Sequence, residues 1–142
     1  MIHRDLKPDN IMCMDKNATK IWVKLTDFGF STFFDPKKKL DLSLGSPLYM
    51  APELVKEKTY DHRVDVWAFG VITYILISGV PPFAGDDKDG IYKAILNDKP
   101  DFSCGQWKKV SKPCIQFIKS CLYKDYYKRP NFSELLKHEW IV

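Results

Sequence analysis

The sequence predicts a mainly α-helical chain with one short β-hairpin near its start. Two observations carry this. Residues 64–80 are an apolar run broken only by Asp65, Thr73 and Ser78, and apolar residues recur at helical spacing over 90–96, 113–122 and 132–137. Earlier, the apolar run Ile11-Met12-Cys13-Met14 and the β-branched and aromatic run Ile21-Trp22-Val23-Lys24-Leu25 flank a turn at Asp15-Lys16-Asn17-Ala18.

The elements follow in order. Residues 30–50 show no sustained period and contain Lys37-Lys38-Lys39, so they are expected to be a loop. Residues 52–58 read as a short helix with Pro52 in its first turn. Residues 63–77 read as a helix that is apolar all round, as the centre of a helical body requires, with Gly79 as its stop signal. The run is shorter than the ~20 residues that span a bilayer and carries a carboxylate near one end, so no membrane role is expected. Pro81-Pro82 forces an irregular connection. Asn131 or Ser133 is expected to cap the last helix.

Composition sets limits. At 142 residues, 45% apolar and 28% charged, the chain has the size and balance of one globular domain. A net charge of +4 is too mild for a dedicated nucleic-acid binder, and a single three-lysine run reads as a solvated loop. Cysteines 13, 104, 114 and 121 include no C-x-x-C pair, and no pair of histidines complements them as zinc ligands. Cys114 and Cys121 share a helical face with Phe117 and Ile118, so they are expected in the core. Reduced cysteines and a start that runs straight into charged residues fit a cytoplasmic protein without a signal peptide. The stretch Asp86-Asp87-Lys88-Asp89-Gly90 fails as a calcium loop, because Gly85 and Leu96 fall where its first and last acidic ligands belong.

Three short motifs carry chemistry: His3-Arg4-Asp5-Leu6-Lys7-Pro8-Asp9-Asn10, then Asp27-Phe28-Gly29, then Ala51-Pro52-Glu53. Phosphoryl transfer needs a carboxylate to accept the hydrogen bond of the attacking hydroxyl, hard oxygen ligands for magnesium, and a cation for the charge on the transferred group. Asp5 suits the first task, Asn10 and Asp27 the second, and Lys7 the third. Gly29 is expected to supply the unusual backbone angles that turn Asp27 away from its strand.

In this order, the motifs resemble the C-terminal lobe of a eukaryotic serine/threonine protein kinase over nearly all 142 residues. The resemblance implies that part of the α+β protein-kinase fold, without the N-terminal lobe or the helix before the catalytic loop. It divides the partial kinase domain, 1–142, into catalytic loop 3–10, hairpin 11–25, activation segment 27–53 and helical subdomain 54–142. It implies that Asp5 is the proton acceptor and Lys7 the phosphate contact. Asn10 and Asp27 become ligands of the Mg2+ that accompanies ATP. Arg4 matches the arginine that pairs with an activation-segment phosphate, and Glu53 and Arg129 match a buried ion pair. Asp65 matches the helix-start aspartate that holds the catalytic loop from beneath.

Lys7 in its loop, and Ser46 where most members have threonine, imply protein substrates with serine or threonine. Ser43 is the expected site for an upstream kinase, with Arg4 and Lys37-Lys38-Lys39 to neutralise its phosphate. No nucleic-acid, membrane or calcium partner is implied. Gly79-Val80-Pro81-Pro82-Phe83 and His138-Glu139-Trp140-Ile141 look most like the calcium/calmodulin-dependent kinase group. No G-x-G-x-x-G and no V-A-I-K-like lysine strand occurs. These residues by themselves are therefore expected to bind ATP poorly and transfer little phosphate, with a protein-binding module or a remnant as the alternatives. Apolar surface on the hairpin and on the 64–80 helix is expected to be exposed.

Overall fold

The computed structural model describes residues 1–15, 21–35, 37 and 40–142. Antiparallel strands β1 (Ile11–Cys13) and β2 (Val23–Leu25) pair with Ile11 opposite Leu25 and Cys13 opposite Val23. The helices are α1 (Pro52–Val55), α2 (Arg63–Ser78), α3 (Lys88–Asn97), α4 (Lys112–Cys121) and α5 (Phe132–Leu135). The strands are shorter than the sequence reading, and the turn beyond Asp15 lies outside the described residues, as do Lys38 and Lys39.

α2 is the axis of the molecule. Val64, Val66, Trp67, Val71 and Tyr74 are buried on several sides of it. Its end is set by Gly79, whose φ of 77° is left-handed and whose N–H donates to Ile75 O at 2.8 Å. Gly70 lets α4 approach: a Cβ there would lie 2.5 Å from Cys121 Cβ. Cys114 and Cys121 are both buried on that face, and burial pushes the Cys121 thiol up to about 12. Trp67 stacks on Phe83 with ring centres 5.4 Å apart, and the Arg129 guanidinium lies 5.1 Å from the Trp67 ring.

The other helices are fixed by local caps. The carboxylate of Asp87 accepts from Gly90 N at 2.7 Å, so the acidic stretch before α3 serves as its start. Ser111 accepts from Cys114 N at 3.4 Å to start α4. Asn131, not Ser133, caps α5: Glu134 N donates to its Oδ1 at 2.9 Å and its own N–H donates to Glu134 Oε2 at 2.7 Å. α1 stops at Val55, short of the expected residue 58, and Glu57 follows it with a left-handed φ of 51°.

Exposure divides differently from the expectation. The hairpin does present Met12, Ile21, Trp22, Val23 and Leu25 to solvent. Over 64–80 only Leu76 and Val80 are exposed large apolar residues, whereas Ala68 and Ile72 are covered by Leu6, with Ile11 and Tyr49 packed alongside. Leu6 thus closes a helix face that the sequence reading left open. Among the described residues, no helix is long and apolar enough to cross a membrane.

The heaviest polar contact in this body is between Arg129 and Glu53. Arg129 Nη1 and Nη2 donate to Glu53 Oε1 and Oε2 at 2.7 and 3.0 Å, and the guanidinium also donates to Arg63 O at 2.7 Å and to Tyr123 O. Both residues are buried. Arg129→Met leaves a buried carboxylate unpaired and is expected to cost about 3–5 kcal/mol in urea unfolding. Gly70→Ala is expected to cost about 1–3 kcal/mol by the same measurement, because backbone-borne atoms of α4 must move.

Candidate active site

The site is built on a loop that α2 grips from below. The buried Asp65 carboxylate, in the first turn of α2, accepts from His3 N at 2.7 Å and from Arg4 N at 2.9 Å. Burial pushes its carboxyl up, against the downward pull of those two donors. Arg4 has a φ of 70°, a conformation that costs an L-residue roughly 1 kcal/mol and persists where its surroundings over-determine it. His3 adds a second tie. Its Nε2 donates to Thr26 O at 2.9 Å while its Nδ1 accepts from Asp5 N at 3.3 Å, which fixes the tautomer. Thr26 N donates to Asn10 O at 2.9 Å, so the strand leading to Asp27 is joined to the end of the loop.

Asp5 is buried and crowded with donors. Its Oδ1 accepts from Ser46 N and Ser46 Oγ, each at 2.9 Å. Its Oδ2 lies 3.0 Å from Lys7 Nζ, and Asn10 Nδ2 donates to Asp5 O at 2.9 Å. Lys7 Nζ also donates to Ser46 Oγ at 3.0 Å. Burial alone would raise the Asp5 carboxyl. The hydrogen bonds from Lys7 and Ser46 together outweigh it, and the net shift is downward. The hydrogen bond to Asp5 raises Lys7 in return. The pair is therefore an ionised carboxylate and an ammonium at neutral pH.

The approach of residue 46 to this loop depends on Gly45. Its φ is 118°, and a Cβ there would lie 2.8 Å from Arg4 O. The expected role of Gly29 is different from the one observed. The left-handed residue of that turn is Asp27, at φ 55°, and Gly29 instead donates its N–H to Asp27 Oδ1 at 3.2 Å. A side chain at Gly29 would begin 3.1 Å from that oxygen.

Asn10 and Asp27 suit a hard cation. The hydrogen bonds of the Asn10 side chain run through Nδ2, which turns Oδ1 toward the role of a neutral oxygen ligand, and Asp27 adds a carboxylate. Among the described residues, no group of three or more His, Cys, Asp or Glu could hold a metal ion.

The remaining predicted residues fall into separate places. Glu53 and Arg129 meet each other in the core, away from Asp5. Arg4 Nε donates to Phe30 O at 2.5 Å and Nη1 to Tyr60 Oη at 3.2 Å. Tyr60 Oη donates to Leu42 O at 2.8 Å, and Tyr60 N to Leu40 O at 3.0 Å. Ser43 Oγ donates to Leu54 O at 3.1 Å. Sequence reasoning missed Tyr60, which ties Arg4 to the segment before Ser46. It lies in no motif, and its only signal is a large aromatic just before α2.

A carboxyl whose folded pKa is depressed contributes stability above its unfolded value of 3.8, lost as pH falls through the folded value. Ser46→Ala removes a donor, so the Asp5 carboxyl should titrate closer to 3.8 in 13C NMR, and acid unfolding should begin at higher pH.

A protein kinase domain family matches residues 1–141. Calcium-dependent protein kinase 14 of Arabidopsis thaliana is 42% identical over 141 residues, covering 99% of this chain and 26% of that protein. Calcium-dependent protein kinase 15 of Oryza sativa subsp. japonica is 41% identical over 141 residues, 99% of this chain and 26% of its own length. Calcium-dependent protein kinase 11 of Arabidopsis thaliana is 43% identical over 142 residues, 100% of this chain and 28% of its own. The chain thus spans about a quarter of the relatives it matches. With this family match, a mainly helical body and a two-stranded sheet, the chain belongs to the protein kinase domain family.

Proposed function

We propose that these residues form the acceptor-side and metal-side half of an ATP-dependent protein serine/threonine kinase. The observation that carries this is the buried, ionised Asp5, which already takes a hydroxyl donor, Ser46 Oγ, at 2.9 Å. A substrate hydroxyl needs the same kind of partner. Hydrogen bonding to Asp5 orients it and gives its proton a destination as the oxygen becomes a nucleophile. Lys7, 3.0 Å from both Asp5 and Ser46, holds a positive charge where the transferred group gathers negative charge. Asn10 and Asp27 would hold Mg2+. Magnesium-bound ATP supplies the phosphoryl group and the neutralisation of its charge.

The sequence has no glycine-rich phosphate loop, so this reading assigns that part of the nucleotide contact to residues outside these 142. It places the protein in the cytoplasm, where ATP is abundant and the free cysteines stay reduced. The substrate is a protein serine or threonine. An upstream kinase acting on Ser43 would replace the Ser43–Leu54 hydrogen bond with a charge that Arg4 and Lys37 could approach. Calcium dependence is named for the relatives. In this chain the acidic stretch at 86–90 gives its Asp87 carboxylate to a helix cap, and the reading includes no calcium site here.

The test is phosphoryl transfer from MgATP to serine, threonine and tyrosine peptides by the longest natural polypeptide containing these residues. Transfer to serine or threonine is expected, and Asp5→Asn should reduce it by about 10²–10⁴-fold. Undiminished transfer by Asp5→Asn, or transfer confined to tyrosine, would refute the assignment.

A further inference from the structure

The hydroxyl of Tyr60 stands between the loop that carries Asp5 and the segment that carries Ser46. It accepts from Arg4 Nη1 at 3.2 Å and donates to Leu42 O at 2.8 Å. Chemistry fixes both directions. A guanidinium N–H can only donate, a carbonyl can only accept, and the phenol between them does both. Arg4 directly precedes Asp5, and Leu42 comes four residues before Ser46. The N–H and Oγ of Ser46 both donate to Asp5 Oδ1. These contacts close a ring from Asp5 through Arg4, Tyr60, Leu42 and Ser46 back to Asp5.

The ring is anchored from outside. Tyr60 is buried in the core with Leu54 and Val64, and its N–H donates to Leu40 O at 3.0 Å. The phenol therefore enters the ring from a place that the core sets. Arg4 is held by its own N–H on Asp65 at 2.9 Å, and its Nε donates to Phe30 O at 2.5 Å. Among the described residues, Arg4 forms no ion pair with a carboxylate. Its guanidinium serves two neutral oxygens instead: Phe30 O, just after the Asp27 turn, and Tyr60 Oη. A charged donor strengthens the bond that the phenol passes on to Leu42 O. Gly45 makes this tie necessary. With a φ of 118° and no Cβ, it is a permissive joint that does not hold its own angle. The position of Ser46 is then set by what holds the chain on either side of that joint.

We propose that Tyr60 is a positioning residue for the phosphoryl acceptor: its hydroxyl fixes the run of residues 42–46 so that Ser46, and the substrate hydroxyl beside it, meet Asp5. The role rests on the phosphoryl-transfer reading for what is positioned, and on the hydrogen-bonded ring for how. Tyr60 acts through Arg4 and Leu42. Loss of its hydroxyl leaves the Arg4–Phe30 contact in place, so the side of the site near Asp27 is kept while the acceptor side loosens. The loosening is local, because the ring of the side chain still fills its place in the core.

The test compares Tyr60→Phe, which removes one oxygen and keeps the ring, with the unchanged protein, both as the longest natural polypeptide containing these residues. Well below the melting temperature, kcat/KM for a serine peptide is expected to fall about tenfold, the scale of a hydrogen bond, with the KM for MgATP unchanged. Arg4→Lys, a point charge without the planar fork, should lose at least as much. The double variant should lose no more than Arg4→Lys alone, because both changes cut the same ring. Hydrogen exchange reads the tie without catalysis. The Ser46 N–H is expected to exchange about tenfold faster in Tyr60→Phe, with the N–H groups of α2 unchanged. An unchanged Ser46 rate, exchange raised equally along α2, or an unchanged kcat/KM in a protein that Asp5→Asn inactivates would overturn the proposal. Transfer undiminished by Asp5→Asn removes the kinase reading instead, and the Ser46 exchange rate then decides the tie.

Discussion

The carboxylate of Asp65 is the contact on which the site depends. It sits inside the first turn of a helix that is buried on several sides, so its position is set by the core rather than by the loop above it. Its two oxygens take the N–H groups of His3 and Arg4, two successive residues that turn sharply at a left-handed Arg4. The loop alone would not adopt that turn, because the conformation is unfavourable for an arginine. The buried acceptor supplies the compensation. Asp5 follows directly, and so its carboxylate emerges at a place that α2 dictates.

A second constraint holds the opposite wall. Glu53 and Arg129 lie far apart in sequence and meet in the core, and the same guanidinium reaches Arg63 O and Tyr123 O. One side chain therefore fastens α1, the start of α2 and the chain before α5 to one another. The segment that carries Ser46 runs into α1, so this anchor fixes one end of it. The other end is tied by Tyr60 through Leu40, Leu42 and Arg4. Between the two anchors, the glycine at position 45 gives the close approach that brings Ser46 to Asp5. The geometry of the acceptor is thus a product of contacts on both sides of it.

The helices were readable because each satisfies its own local rules. Gly79 ends α2 where the apolar run stops, and Asn131 with Glu134 opens α5. The ends of α1 and of both strands were not readable, since short elements are trimmed by their neighbours rather than by propensity. The covering of α2 by Leu6 was also invisible. A loop leucine carries no periodic signal, and its burial follows from where Asp65 sets the loop.

What the sequence by itself determined is the chemical inventory: an aspartate, a lysine, an amide and a second aspartate in an order that resembles a phosphoryl-transfer enzyme, on a mostly helical chain. These are choices of functional group, and functional groups are written in the residue letters. The tertiary structure alone decided how the groups are held. It joined Ser46 to Lys7, gave the left-handed turn to Asp27 rather than Gly29, and brought Tyr60 to Arg4. Each of these joins residues that are distant in sequence, or sets a backbone angle that its neighbours enforce. Such contacts exist only once the core around α2 has closed.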